Sequence, residues 1–269
     1  MSDTVYYKTE EEIALIRKSS LLVSETIAAV AAAIRPGVRT GELDQLAEDF
    51  IHDHGAIPAF KGYQGFPSTL CVSVNDQVVH GIPGDRELRE GDLVSVDCGV
   101  VWNGFYGDSA YTFALQGADP GHLELMHVTH EALYRGIKAA VAGNRLGDIG
   151  FAVQDFAERE KGHGVVRELV GHGIGRELHE SPEVPNFGRR GKGMKLLEGL
   201  VIAIEPMINL GSKHVLVLDD GWTVCTQDGK VSAHFEHTVV VRKSQAQILS
   251  SFEPIEEVVK TNPDLQDFR

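Results

Sequence analysis

Apolar residues recur with a helical period from the start of the chain. After Thr9-Glu10-Glu11-Glu12, a capping-box signature, come Ile13, Ile16, Val23, Ile27, Val30 and Ile34, and the run closes at Pro36-Gly37. This predicts one long helix. Leu43, Leu46, Ala47, Phe50 and Ile51 then stand at i, i+3, i+4, i+7 and i+8, the stripe of a second, amphipathic helix. The order returns further on. Asp119-Pro120 offers a cap and a proline at the first helical position, predicting a helix to about Val141. Ile149, Ala152, Val153, Phe156 and Ala157 repeat the stripe 106 residues after its first occurrence. Gly37, Arg39 and Gly41 before the first stripe correspond to Gly143, Arg145 and Gly147 before the second.

Between these helices the period shortens to β-branched runs. Glu90-Gly91-Asp92-Leu93-Val94-Ser95-Val96-Asp97 lines up with Glu198-Gly199-Leu200-Val201-Ile202-Ala203-Ile204-Glu205, 108 positions later, and each run closes on an acid. Such a run belongs inside a sheet, where an ionised acid is costly unless a cation meets it. Each half therefore reads helix, helix, antiparallel strands. The expectation is one α+β domain over residues 1–269, built from two pseudo-symmetric halves at about 10–115 and 119–245. A central curved antiparallel sheet would carry helices on its outer face. Residues 1–9 and a tail at 250–269, interrupted by Pro254 and Pro263, read as peripheral.

Composition narrows the class. No Ser- or Pro-rich linker divides the 269 residues, and no run of 18 apolar residues occurs. The opening MSDTVYYKTEEE is polar and acidic, unlike a basic-plus-apolar signal, so a soluble cytoplasmic protein without membrane contact is expected. Cys71, Cys98 and Cys225 are odd in number and form no C-x-x-C pair, which fits a reducing compartment and excludes a thiolate zinc site. A formal charge of −14 argues against DNA or general nucleic-acid binding, which needs phosphate-neutralising cations.

The acids carry the chemistry. Asp97 and Asp108 flank Trp102-Asn103-Gly104-Phe105, and Asn-Gly is a strong hairpin signal that brings both carboxylates onto adjoining strands. His172 lies among glycines in Gly171-His172-Gly173-Ile174-Gly175, and Glu205 ends an apolar run against Pro206. Alternation in Ala233-His234-Phe235-Glu236-His237 turns Glu236 away from Phe235 and His237. Four gathered carboxylates would repel, whereas two divalent cations balance them charge for charge. Oxygen ligands with one imidazole suit Mn, Fe, Co or Zn, and two such ions lower the pKa of water far enough to supply hydroxide near neutral pH.

These motifs resemble those of type I methionine aminopeptidases, which have the pita-bread fold, over about residues 10–245. The matching pieces are Thr69-Leu70-Cys71-Val72-Ser73-Val74-Asn75, Val79-His80-Gly81-Ile82-Pro83, Val96-Asp97-Cys98-Gly99 and Tyr106-Gly107-Asp108-Ser109-Ala110. Gly171-His172-Gly173-Ile174-Gly175 through His179-Glu180, Ile204-Glu205-Pro206 and Glu236-His237-Thr238 complete them. The resemblance implies that Asp97, Asp108, His172, Glu205 and Glu236 ligate two metal ions, with Glu205 doubling as general base. It implies that His80 contacts the nitrogen of the scissile peptide and that His179 hydrogen-bonds its carbonyl oxygen. It points to Tyr63, Phe66, Cys71 and Trp222 as a methionine pocket with His80 at the rim.

Two departures stand in that pocket: Phe60, where some relatives have a smaller residue, and Leu178, where an aromatic is common. Asn75 and Ser232 match positions that hold a monovalent cation in some members. The implied substrate is the amino-terminal methionine of nascent polypeptides, and the implied state is a monomer. Residues 188–195, Gly-Arg-Arg-Gly-Lys-Gly-Met-Lys, read as a basic flexible loop suited to transient ribosome contact. The rival readings are a pita-bread peptidase acting on Xaa-Pro bonds and a non-catalytic binding protein that keeps the fold. Xaa-Pro relatives usually carry a large domain ahead of the catalytic half, and non-catalytic ones typically lose ligands.

Overall fold

The capping box forms as its residues suggest. The Thr9 hydroxyl accepts from the Glu12 amide, the Glu12 carboxylate accepts from the Thr9 amide, and helix α1 (Glu10–Ala33) begins there. The computed structural model describes residues 4–269. Helix α1 stops short of Pro36, which offers no amide to continue the helical ladder. In α2 (Thr40–Asp53) the stripe buries Leu43, Ala47 and Ile51, with Leu46 and Phe50 at its margin. Strands β1 (Ile57–Pro58), β2 (Leu70–Val74), β3 (Gln77–Val79), β4 (Leu93–Trp102) and β5 (Phe105–Leu115) complete the first half. Asn103 (φ 49°) and Gly104 (φ 76°) make the two-residue turn between β4 and β5, both in the left-handed region such hairpins need. Gly107 matters for another reason: a Cβ there would lie 2.3 Å from the Ser20 nitrogen, so its absence lets α1 settle directly on β5.

The second half starts with α3 (Pro120–Ala139), where the Asp119 carboxylate accepts from the Gly121 amide. Next comes α4 (Leu146–Gln154), prolonged by a π-helical turn over Asp155–Glu160. Short strands follow: β6 (Gly164–Val165), β7 (Gly171–Gly173), β8 (Glu180–Val184), β9 (Val201–Ile204), β10 (Met207–Asn209), β11 (Val215–Val217) and β12 (Val224–Thr226). The chain finishes with β13 (Ser232–His234), β14 (His237–Val240), β15 (Gln247–Ile248), α5 (Glu253–Thr261) and β16 (Leu265–Gln266).

Every pairing between these strands is antiparallel, and they form four sheets. The two largest run β1–β4–β5–β16, with β2 also on β4, and β15–β14–β9–β7–β8. They are sewn together beside the acids. The Glu236 amide donates to the Ala110 carbonyl, the Ser109 hydroxyl to the Glu236 carbonyl and the Thr238 hydroxyl to the Asp108 carbonyl. This is the α+β architecture expected, with the helices packed outside joined sheets.

Three expectations change. The strand with Asp97 does not end on the acid: β4 runs on to Trp102, because the β5 hairpin supplies partners for its whole length. The carboxy-terminal segment is no peripheral tail, since Phe252, Ile255, Val259, Leu265 and Phe268 are buried in the main core and β16 pairs with β5. Its apolar residues at helical spacing find a face on α1. Of the amino-terminal stretch also expected to be peripheral, residues 1–3 lie outside the described residues, whereas Val5 and Tyr7 form bridges to Ser181 and Leu200, and Lys8 is buried. Among the described residues no helix is long and apolar enough to cross a membrane.

Candidate metal centre and substrate pocket

Register aligns the first two acids. Asp108 on β5 opposes Gly99 on β4, two residues from Asp97, so both carboxylates project from one face of the hairpin. Strand β9 carries Glu205 just past its end, and it pairs on one side with β7, which holds His172, and on the other with β14, which follows Glu236. All five side chains line one cavity. Ligand atoms of Asp108, His172 and Glu236 lie within 4.8 Å of one another, and His172 Nε2 is 3.5 Å from Glu205 Oε1 and 3.9 Å from Asp108 Oδ2.

The His172 ring is oriented from behind. Its Nδ1–H donates to the Gly173 carbonyl at 2.9 Å, which leaves the Nε2 lone pair facing the acids. Burial pushes Asp97 up to about 7. Burial, reinforced by the neighbouring carboxylates, holds Asp108, Glu205 and Glu236 well above the usual carboxylate range. Burial also drives His172 down to about 3, with His179 adding to it. No lysine or arginine lines the cavity among the described residues. Asp97 Oδ1, Asp108 Oδ1 and Glu236 Oε1 are buried without a hydrogen-bond partner. Carboxylates so desolvated and unpaired, beside an imidazole with a free lone pair, are the donor set that divalent cations fit.

Against this acidic floor stands an apolar wall. Phe60, Tyr63, Phe66, Cys71, Leu178 and Trp222 line the same cavity. The Phe66 and Trp222 rings meet edge-on at 5.1 Å. Cys71 sits opposite Asp97 in the β2–β4 register, and burial, with Asp97 and Asp108 nearby, pushes its thiol well up, so it is a neutral wall residue. Phe60 lies over Gly99, where any Cβ would come 2.5 Å from its ring. Both residues that depart from the family pattern, Phe60 and Leu178, are therefore part of the wall.

Two histidines face inward from the rim. His179 Nδ1 is 2.7 Å from the Tyr63 hydroxyl, and its ring meets that of His172 edge-on at 4.3 Å. Burial pushes His179 down to about 4 and lowers His80, so both rings are neutral near pH 7. His80 has a φ of 57°, a sparsely populated conformation for a residue with a side chain, held by a tight crossing at Gly81. A Cβ on Gly81 would lie 2.3 Å from the Val72 carbonyl oxygen.

The residues not foreseen are His234 and Gln64. His234 Nε2 is buried without a partner, 3.9 Å from Glu205 Oε2. Its position two residues before Glu236, on the same side of an extended segment, was the available signal. Gln64 joins the wall from the 3₁₀ turn Tyr63–Gly65, with a φ of 49°.

Two other expectations need restating. The Asn75 side chain is already committed, donating to Asp92 and accepting from the Leu93 amide, and Ser232 Oγ faces Ile208 O and Asn209 Oδ1. The basic loop is not free: the Gly147 amide donates to the Lys192 carbonyl, the Gly191 amide to Asp148, and Arg145 to the Gly193 carbonyl. Arg190 lies 4.4 Å over the Phe151 ring. Glycines let this segment fold back onto the start of α4, which its charge alone did not suggest.

The model of metallopeptidase family M24 matches residues 14–243. The chain is 51% identical to a methionine aminopeptidase of Clostridium perfringens over 91% of its own length and 98% of that protein. The crystal structure of a methionine aminopeptidase from Thermotoga maritima superposes with a TM-score of 0.90 at 42% identity, covering 92% of this chain and all of that one. The Rickettsia prowazekii methionine aminopeptidase superposes equally well, with a TM-score of 0.90 at 39% identity and the same coverage. With the fold, the acid-and-imidazole cluster and these matches agreeing across nine-tenths of its length, the chain belongs to metallopeptidase family M24.

Proposed function

We propose that this protein is a cytoplasmic, metal-dependent aminopeptidase that removes the initiator methionine from nascent polypeptides by attack of an activated water on the first peptide bond. The observation that carries the reading is one cavity with two unlike walls: buried carboxylates with unpartnered oxygens on one side, apolar and aromatic side chains on the other. Asp97, Asp108, His172, Glu205 and Glu236 would hold two divalent ions of Co, Mn, Fe or Zn. When bound, those ions supply the positive charge that lowers the pKa of water and polarises the substrate carbonyl.

The remaining roles belong to the chain. Glu205 takes the proton of the attacking water and passes it to the leaving amine. His179 donates from Nε2 to the carbonyl oxygen as negative charge develops there. That role requires its Nδ1 to accept, which the Tyr63 hydroxyl satisfies by donating across 2.7 Å. His80 contacts the peptide nitrogen. Tyr63, Phe66, Cys71 and Trp222 receive the thioether, whose sulfur packs well against ring edges. Phe60 adds bulk to that wall and Leu178 takes some away, changes that would loosen or retune its selectivity. A free amino group exists only at a chain terminus, which is why the site would act as an exopeptidase.

We further read the chain as a single catalytic domain of two related halves that works as a monomer. The loop 188–195 would touch the ribosome, its arginines and lysines presented from a fixed rather than a mobile base. A monovalent cation near Asn75 and Ser232 would rely on main-chain oxygens, since both side chains are engaged. The decisive experiment is a peptide series on metal-loaded protein. Release of Met from Met-Gly-type peptides is expected; cleavage of Xaa-Pro bonds, or no cleavage at all, would replace this reading by one of its rivals.

A further inference from the structure

Glu180 follows His179 directly, and its carboxylate is shared between two tasks. Oε1 accepts from the Arg176 amide at 2.8 Å and the Glu177 amide at 3.3 Å, folding the segment from Gly175 to Glu180 into a closed turn. Oε2 meets the ammonium group of Lys8, 172 residues earlier in the chain. Both side chains are almost fully buried, at 4% and 6% exposure. The turn carries Leu178 and His179 into the cavity.

The arm that delivers Lys8 is fastened along its length. Val5 bridges Ser181, Tyr7 bridges Leu200, and the Lys8 amide donates to the Gly199 carbonyl at 2.8 Å. Gly175 is shaped to this pair: a Cβ there would stand 2.4 Å from Lys8 Cε and 2.8 Å from Glu180 Oε1. No side chain fits where the lysine stem passes.

A buried ion pair is a poor source of stability, because desolvating both charges offsets most of their attraction. What this one does is geometric. The carboxylate can gather two amides inside the protein only if its charge is met, and the residue before it is the histidine at the cavity rim. We propose that Lys8 and Glu180 are positioning residues for His179, so that the amino-terminal arm sets where the substrate-side donor stands. This rests on the reading of His179 as that donor.

Two neutral pairs test it without stranding a charge. In Lys8→Met/Glu180→Gln the amide oxygen can still accept both backbone N–H groups; in Lys8→Met/Glu180→Leu nothing can. With full metal occupancy, the Leu pair is expected to show a kcat about tenfold below the Gln pair at similar KM, since a misplacement near 1 Å costs up to about a hundredfold. In a His179→Ala background that difference should vanish, because there is no ring left to position. Equal kcat for the two pairs, or a difference that persists without His179, would overturn the inference. A separate failure is distinguishable: if His179→Ala alone leaves kcat unchanged, the donor role is wrong. Thermal midpoints of both pairs are measured alongside, and a kcat gap that merely tracks their unfolding also counts against positioning.

Discussion

The two halves of the molecule reach the same cavity by different means. In the first, Asp97 and Asp108 belong to one hairpin, whose turn at Asn103-Gly104 settles their register from Leu93↔Ala114 to Trp102↔Phe105. In the second, His172, Glu205 and Glu236 sit in or beside strands of three or four residues that are far apart in the chain. Those strands hold position by pairing with one another and by leaning on the first hairpin through Glu236, Ser109 and Thr238. One half is ordered locally and the other by long-range contact. Damage to the hairpin acids should therefore act on chemistry, whereas damage to the seam should act on chemistry and stability together.

The largest expected effect comes from the acid where the halves meet. Asp108→Ala should strip metal and lower turnover by at least about a thousandfold, measured by metal analysis beside a Met-peptide assay. Near-normal activity would remove Asp108 from the ligand set. His179→Ala should keep its metal and lose about a hundredfold in kcat, the cost of one positioned oxyanion donor. If the metal goes too, His179 is a ligand. Between the halves, Thr238→Val deletes the hydroxyl that donates to the Asp108 carbonyl and should cost about 1–2 kcal/mol of stability with a several-fold fall in kcat. A purely local break is the contrast. Asn103→Ala strains the left-handed turn by about 1–2 kcal/mol but should leave metal content and kcat intact, because the two-residue turn keeps its length and with it the Leu93↔Ala114 to Trp102↔Phe105 register.

The smallest effect concerns acid. His130 on α3, caged by Tyr134, Phe235, Phe252 and Phe268, is pushed down to about 4 by burial, with Arg269 and His127 adding to it. Its folded pKa lies below the unfolded value near 6.5, so the unfolded chain takes up the proton first. The stability it contributes is complete above about 6.5 and is lost as pH falls toward 4. The metal-loaded protein should therefore melt progressively lower from pH 7 to pH 5, and His130→Phe should flatten part of that slope. An unchanged slope would show that the ring does not titrate in this window.

Much of this molecule is legible in its sequence. Thr9 with Glu12, and Asp119 with Pro120, announce helix starts because caps are satisfied within a few residues. Asn103-Gly104 announces its turn for the same reason. The acids were conspicuous because charged residues do not end or interrupt apolar strands without cause. The misreadings share an origin. Phe252, Ile255 and Phe268 looked peripheral behind prolines, yet α1 and β5 offered a face that only the folded chain possesses. The basic loop looked free because its charge is visible in sequence and its backbone anchors to α4 are not.

What the order of residues determined alone is therefore the local part: helix caps, the hairpin, the alternation of Glu236, and which acids sit in or beside apolar strands. Each depends on neighbours within a few positions, where chain geometry leaves few options. Tertiary structure decided the rest, from the 3.9 Å approach of His234 to Glu205, through the Tyr63–His179 bond, to the distant lysine beside Glu180. Those contacts join residues from 29 to 172 positions apart, and no local rule ranks one distant partner over another until the sheets have closed.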